Sequence, residues 1–278
     1  MPDEKGDKDD RGRVLVVGGS TQVAGAVLLA GVAALRAGAG KLQLATVASA
    51  SSALGMAVPE ALVVALPETR AGEIAGARAH GSLVKLAGSA HAMLVGPGMT
   101  SERSAHALLA RLVRQLGDEA TLVLDAAAIL ALRADERLLH RLEGRAVITP
   151  HAGEMASLLG MEKSAVEREP SEIARAAATR FGTVVALKGA VSWISEPDGT
   201  LYRYEGGTIG LATSGSGDTL AGIITGLAAR GAPAALAAIW GAYLHGAAGR
   251  ALARRVGPIG FLASELLAEL PPLLRRRG

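Results

Sequence analysis

Short runs of consecutive apolar residues alternate with longer apolar stretches at helical spacing along most of this chain. Val14-Leu15-Val16-Val17 is the first β-branched run, and Gly18-Gly19-Ser20 ends it. An apolar helix is expected over 24–37, stopped by Gly38 and Gly40. Residues 41–47, 61–66, 92–95, 121–124, 146–149 and 183–187 read as further strands. Helices are expected over 101–116, with Ser101 as the cap, and over 171–181. Residues 191–194 and 201–204 read as a hairpin around Pro197-Asp198-Gly199. Helices over 219–227, 234–254 and 262–270 close the chain. Strands that are continuous apolar runs, alternating with helices, predict an α/β fold whose mostly parallel central sheet is covered on both faces. No linker or repeat interrupts the pattern, so residues 13–278 are expected to form a single domain behind a charged, disordered leader over 1–12.

The polar punctuation carries the chemistry. Gly18-Gly19-Ser20, Gly96-Pro97-Gly98, Asp125, the segment 151–154 and Lys188-Gly189 each follow a strand at once. Ligands of open α/β sheets bind outside the carboxyl ends of the strands, so these clusters are expected to share one cleft. Ser214-Gly215-Ser216-Gly217-Asp218 joins them and opens a helix with Leu220, Ile223, Ile224 and Leu227 on one face. A Gly-rich loop at a helix start exposes N–H groups at the positive end of the dipole, which attracts phosphate or developing negative charge. Asp218 beside such an anion can act as a base. An ordinary Asp titrates near ~4, and the helix start is expected to keep it ionised. The plainer alternative is a Ser or Asp N-cap on a buried helix. Lys188 with Gly189 can approach a phosphate closely; the alternative is a surface lysine in a turn. Glu154, in the first turn of a helix, is placed to support a phosphate-bound Mg²⁺ through water, whereas a lone H-x-x-E is a weak case for ligation by His151. His80, His91, His106, His140 and His245 read as structural or solvent-facing, without partners.

Composition narrows the classes. Half of the 278 residues are hydrophobic and only 3% aromatic, so the core rests on close backbone approach and aliphatic contacts. The net charge of +3 is scattered, apart from a basic tail at Arg275, Arg276 and Arg277, and no base-stacking aromatics accompany it, which argues against nucleic acid. The absence of Cys excludes disulfides, thiolate zinc sites and a Cys nucleophile, and fits a reducing cytoplasm. Residues 1–13 carry no apolar signal core, and the apolar stretches 23–35 and 234–244 are shorter than the ~20 residues of a membrane span. P-loop, G-x-G-x-x-G, nucleophile-elbow and H-E-x-x-H motifs are all missing. On residues alone the chain reads as a cytoplasmic enzyme handling a nucleotide or phosphorylated substrate.

The segment GLATSGSGDTLAGIITGLAARG resembles the Gly-Ser/Thr-Gly-Asp signature of the ribokinase-like superfamily, which implies a three-layer α/β/α fold. VLVVGGS, VGPGM, LVLDAAAIL, VITPHAGEMASLLG, VVALKGA, the GSGD loop, YLHGAAG and FLASELLAELP stand in the order and spacing of the ADP/ATP-dependent NAD(P)H-hydrate dehydratases, over residues 13–274. That resemblance implies a hydro-lyase of nicotinamide-nucleotide repair. NADH or NADPH hydrated at C6 of the ring is converted back to the intact cofactor, with ADP becoming AMP or ATP becoming ADP, and phosphate released. It implies Asp218 as the base and as a contact to the hydrate. Ala26, Gly98 and His151 would line the hydrated-dinucleotide site. Lys188, Gly189, Ala190, Val191, Ser192, Gly215 and Gly217 would hold the nucleotide, with Glu154 supporting Mg²⁺ indirectly. The family tends to assemble, so a homo-oligomer, such as a tetramer, is expected. The chain starts almost at its first strand, so the epimerase domain often fused ahead is expected as a separate partner.

One departure stands out. The family usually reads LDADAL where this chain has Leu124-Asp125-Ala126-Ala127-Ala128-Ile129, so Ala127 replaces the second acid. Two other functions share the motifs: a kinase of the same fold acting on a vitamin-precursor alcohol, and a catalytically silent nucleotide-binding regulator. Retention of Asp218, Lys188 and Glu154 weighs against the second.

Overall fold

A computed structural model describes residues 7–275. β1 (Arg13–Val17), α1 (Gly25–Arg36), β2 (Lys41–Val47), α2 (Ala48–Ala57) and β3 (Ala61–Leu66) form the first half of the sheet. α3 (Gly76–Ser89), β4 (Ala92–Val95), α4 (Glu102–Leu112), β5 (Thr121–Leu124), α5 (Ala127–Leu130) and β6 (Ala146–Ile148) follow. After α6 (Ala152–Leu159), α7 (Lys163–Arg168) and α8 (Pro170–Phe181) come β7 (Val184–Leu187) and the hairpin β8 (Ser192–Ser195) and β9 (Leu201–Tyr204). α9 (Ser216–Ala229), α10 (Ala234–Arg255) and α11 (Ala263–Leu273) end the chain.

The nine strands lie in the order β3-β2-β1-β4-β5-β6-β7-β8-β9. All pairs are parallel except those of β7 with β8 and β8 with β9. Each buried strand feeds both faces by its period of two. Val14 and Val16 pack toward α1, α9 and α10, while Leu15 and Val17 pack toward α3 and α4. A further apolar cluster, with Phe261 and Leu266, lies between α1, α9, α10 and α11. The result is three layers, α/β/α, as the apolar runs predict.

Chain order reverses direction between β1 and β4, so the turns after these two strands diverge and leave a crevice. Gly18-Gly19-Ser20 and Gly96-Pro97-Gly98 both sit there.

Several helices carry little sequence signal. α2 is Ala- and Ser-rich with one buried residue, Leu54, and α7 is only six residues long. Of the expected leader, residues 1–6 lie outside those described. Asp7–Arg11 forms a turn: the Asp7 carboxylate accepts from Asp9 N and Asp10 N, and Lys41 pairs with Asp9. The Gly12 carbonyl then accepts from Lys41 N at 3.0 Å, tying the turn to the start of β2. Arg275 is exposed, and the rest of the basic tail lies outside the described residues.

The low aromatic content shows in how α1 meets α9. Gly222 and Gly226 press their backbones onto Ala30 and Ala34, and a methyl at Gly222 would overlap the Ala30 carbonyl. Gly222→Ala is therefore expected to destabilise the fold by about 1–3 kcal/mol through overpacking, read as a drop in Tm; an unchanged Tm would contradict this packing.

Candidate active site

β5 delivers Asp125 to the carboxyl end of the sheet, where it is 4% exposed. Its Oδ1 accepts from Thr149 Oγ1 at 2.7 Å and from Lys188 Nζ at 3.0 Å. β7 delivers Lys188, whose backbone N donates to Pro150 O at 2.7 Å, fixing the turn after β6 to the turn after β7. Lys188 Nζ also stands 3.9 Å from Glu154 Oε2. Glu154 belongs to a capping box at the start of α6. Its Oε2 accepts from His151 N at 2.9 Å, and His151 Nδ1 accepts from Gly153 N and Glu154 N. Lys188 is thus a half-buried cation between carboxylates, not a surface lysine. Burial alone would lower its pKa, but attraction to Asp125, Glu154 and Asp218 outweighs this and raises it.

Asp218 lies in the first turn of α9. Burial is the main cause that raises its pKa, to about 7, and repulsion by Asp125 and Glu154 adds to it against the pull of Lys188. The expectation of a carboxylate always ionised at the helix start therefore does not hold. Desolvation and like charges outweigh the helix dipole here. The helix has no Ser or Asp cap either. Its N-cap is Gly215 in the left-handed region (φ +84°), with no side-chain cap. Gly217 N makes no backbone hydrogen bond and is free for an anion, whereas Asp218 N faces its own carboxylate.

The structure divides the expected site residues into two neighbouring groups. Gly98 (φ +69°) meets Ala26 at the crevice between β1 and β4: a Cβ on Gly98 would sit 3.1 Å from Ala26 Cβ and 3.1 Å from Gly19 Cα. Lys188, Gly189, Ala190, Ser192 and Gly217 line a cavity of about 680 Å³. Its other walls are the loop containing Thr208, Ile209 and Leu211, and the α10 residues Ala242, His245 and Gly246. His151 also lines this cavity. Val191 is not among the residues lining the cavity, and Gly215 packs against Leu29 and Ala263. A Cβ on Gly217 would sit 3.2 Å from Lys188 Nζ, so glycine there keeps the ammonium next to the helix start. Asp125 lies between the two groups because β5 lies between β4 and β6. Ala127 opens α5, buried just behind Asp125. A larger cavity of about 780 Å³ opens at the amino ends of the strands, near Glu119, Arg145 and Val184. It holds none of the clustered groups and lies at the end of the sheet where such folds do not bind ligands.

The sequence reading missed His245. Its Nε2 lies 2.9 Å from Ser216 Oγ, and burial, helped by Lys188, lowers its pKa to about 4. The available signal was spacing: His245 sits between the buried Leu244 and Gly246, with Ala242 and Gly249 also buried, a polar residue set in a small-residue face. His91 and His140 also have partners, Arg13 N and Arg180 O, so the reading of partnerless histidines is corrected for these three.

Among the described residues no three His, Asp or Glu side chains are arranged to hold a metal ion. Asp125 and Glu154, both beside Lys188, fit a Mg²⁺ that arrives on phosphates and keeps its waters.

Residues 14–272 match the NAD(P)H-hydrate dehydratase family. The chain belongs to this family. It is 51% identical to the ADP-dependent (S)-NAD(P)H-hydrate dehydratase of Xanthomonas campestris pv. campestris, over 99% of this chain and 92% of that one. The solved ADP/ATP-dependent NAD(P)H-hydrate dehydratase of Bacillus subtilis, co-crystallised with ATP/Mg²⁺, is 28% identical with a TM-score of 0.83, covering 98% of this chain and 92% of that one. A ribokinase-like superfamily protein of Enterococcus faecalis is 26% identical with a TM-score of 0.84, over 98% and 90% of the two chains. The dehydratase fold is thus the ribokinase-like one, as the GSGD signature implies.

The raised pKa of Asp218 has a consequence for stability. Its carboxyl titrates near 7 in the fold against an ordinary value of 3.8, so the folded state holds the proton more tightly. Stability contributed by the protonated group is lost as pH rises through that window. Asp218→Asn is expected to be more stable than the parent above pH 7, by about 4 kcal/mol, and to lose this advantage below pH 4. Denaturant unfolding of both proteins across this range checks it; equal stabilities at pH 8 would contradict it.

Proposed function

We propose that this enzyme dehydrates the (S) hydrate of NADH or NADPH to the intact cofactor at the expense of an adenine nucleotide, with release of phosphate. The observation that carries the reading is a carboxylate at an uncapped helix start beside a cation paired with two further carboxylates, an arrangement that with burial raises the pKa of Asp218 to about 7. The 51% identity to a protein named as an ADP-dependent dehydratase supports the same substrate class.

The residues divide the work as follows. The cavity lined by Lys188, Gly189, Ala190, Ser192 and Gly217 takes the nucleotide, with Val191 and Gly215 shaping its walls from behind. Lys188 Nζ and the N–H of Gly217 face its terminal phosphate. The crevice at Ala26 and Gly98 takes the hydrated dinucleotide, and His151 stands where the two substrates meet. Asp218, deprotonated, accepts the proton of the C6 hydroxyl as the phosphoryl group passes to that oxygen. Phosphate then departs with the C6–O bond electrons, and loss of the C5 proton restores the ring double bond. Mg²⁺ carried on the phosphates would neutralise their charge, and Glu154 would be the residue to hold it through water. Asp125, ion-paired to Lys188, fixes that ammonium in the cleft.

We further read residues 13–278 as one catalytic domain working in the cytoplasm as a homo-oligomer, with an epimerase supplying the reactive epimer. Among the described residues no helix is long and apolar enough to cross a membrane. Leu236, Trp240 and Tyr243 form an exposed apolar stripe on α10, at 47%, 55% and 43% exposure, suited to a second copy of the chain. Light scattering of Trp240→Glu should then report a smaller species than the parent; identical masses would remove that face from the assembly.

Purified protein given hydrated NADH, Mg²⁺ and ADP should restore the absorbance of reduced nicotinamide, and a parallel reaction with ATP decides the preferred nucleotide. Asp218→Asn should abolish turnover while still binding nucleotide, and full turnover by this variant would refute the base assignment. Because the base must be deprotonated, the parent rate should fall about tenfold per pH unit below an apparent pKa near 7. A phosphorylated alcohol persisting after incubation with ATP would instead favour the kinase reading.

A further inference from the structure

The first turn of α9 has one side-chain tie to another element among the described residues, the 2.9 Å contact of Ser216 Oγ with His245 Nε2 on α10. Thr219 Oγ1 bonds back within its own helix to Gly215 O, and the N-cap glycine offers no side chain. Ser216 is 4% exposed, so water does not satisfy its hydroxyl freely. Both Ser216 and His245 line the same cavity as Lys188 and Gly217.

The direction of that hydrogen bond follows from its neighbours. Burial and Lys188 keep the imidazole neutral, so it has one N–H and one lone pair. Were Ser216 to donate to Nε2, its oxygen lone pairs would be the groups left facing the cavity. Lys188 Nζ and the free N–H of Gly217 already make that end of the cavity attractive to an anion, and lone pairs would oppose it. With Nε2–H donating to Oγ, the Ser216 proton is released toward the anion and joins Lys188 Nζ and the Gly217 N–H on the cavity wall.

We infer that Ser216 is a further nucleotide-binding residue whose hydroxyl donates to a phosphate oxygen, and that His245 is the positioning residue that presents it through an Nε2–H···Oγ hydrogen bond. This rests on the nucleotide reading of the cavity given above. It adds a donor to the glycine-loop amides and gives the buried imidazole a task.

Calorimetric titration of the full chain with ADP and Mg²⁺ tests it without relying on turnover. Ser216→Ala and His245→Phe should each weaken ADP binding about tenfold, while the KM for hydrated NADH stays within about twofold. His245→Gln, whose amide N–H can stand near the Nε2 position, should retain parental affinity. The double variant should bind no more weakly than Ser216→Ala alone, because His245 acts through Ser216. Parental affinity in Ser216→Ala would overturn the Ser216 assignment. Further weakening by His245→Phe in the Ser216→Ala background would overturn the positioning role, since a merely structural histidine acts additively. If His245→Phe does not fold, His245→Asn, whose shorter amide cannot reach Oγ, takes its place in the cycle. A folded parent that binds no ADP would sink the nucleotide reading itself, a result separate from equal binding by parent and Ser216→Ala.

Discussion

Lys188 is the counter-charge on which the cleft depends. Three carboxylates, Asp125, Glu154 and Asp218, act on one ammonium, and it touches only Asp125 closely. Close pairing with Asp125 leaves too little attraction to offset the burial of Asp218, so Asp218 titrates near neutrality. The site thereby holds an acid that can release and take up a proton at working pH, next to a cation whose charge burial does not remove. Removing Lys188 would leave three like charges converging on a buried volume with nothing to balance them.

That arrangement is held by backbone contacts more than by large side chains. Lys188 N bonds Pro150 O, and the His151–Glu154 capping box fixes the start of α6 against the same turn. On the other side, α9 approaches α1 at glycine-to-alanine distance. A bulkier interface would push the helix start away from Lys188, and Asp218 would lose both its burial and its neighbours. Structural glycines and alanines are thus connected to chemistry: the helix that carries the base can lie close to the sheet because nothing large intervenes.

The apolar runs and the Gly-rich punctuation made the sheet, its layers and the loop at Asp218 legible, because buried parallel strands must be continuous apolar segments. The short or Ser-rich helices α2, α5 and α7 were not legible, since a helix with little buried surface leaves no periodicity to read. Asp125, Lys188 and Glu154 were visible as strand-end residues, but not that they meet one another. The pairing of His245 with Ser216 was not legible, because the two stand 29 positions apart.

The amino-acid sequence by itself determined the α/β class, the strand-end polar clusters and the family, through motifs whose order along the chain is specific. Tertiary structure alone decided which clusters touch. It set His151 and Lys188 on one cavity and Ala26 against Gly98, put glycine and not serine at the cap of α9, and raised the pKa of Asp218. Local sequence records residue type and period, whereas burial and the distance between charges exist only once the strands are laid side by side. Those two quantities set the charge state of a carboxylate.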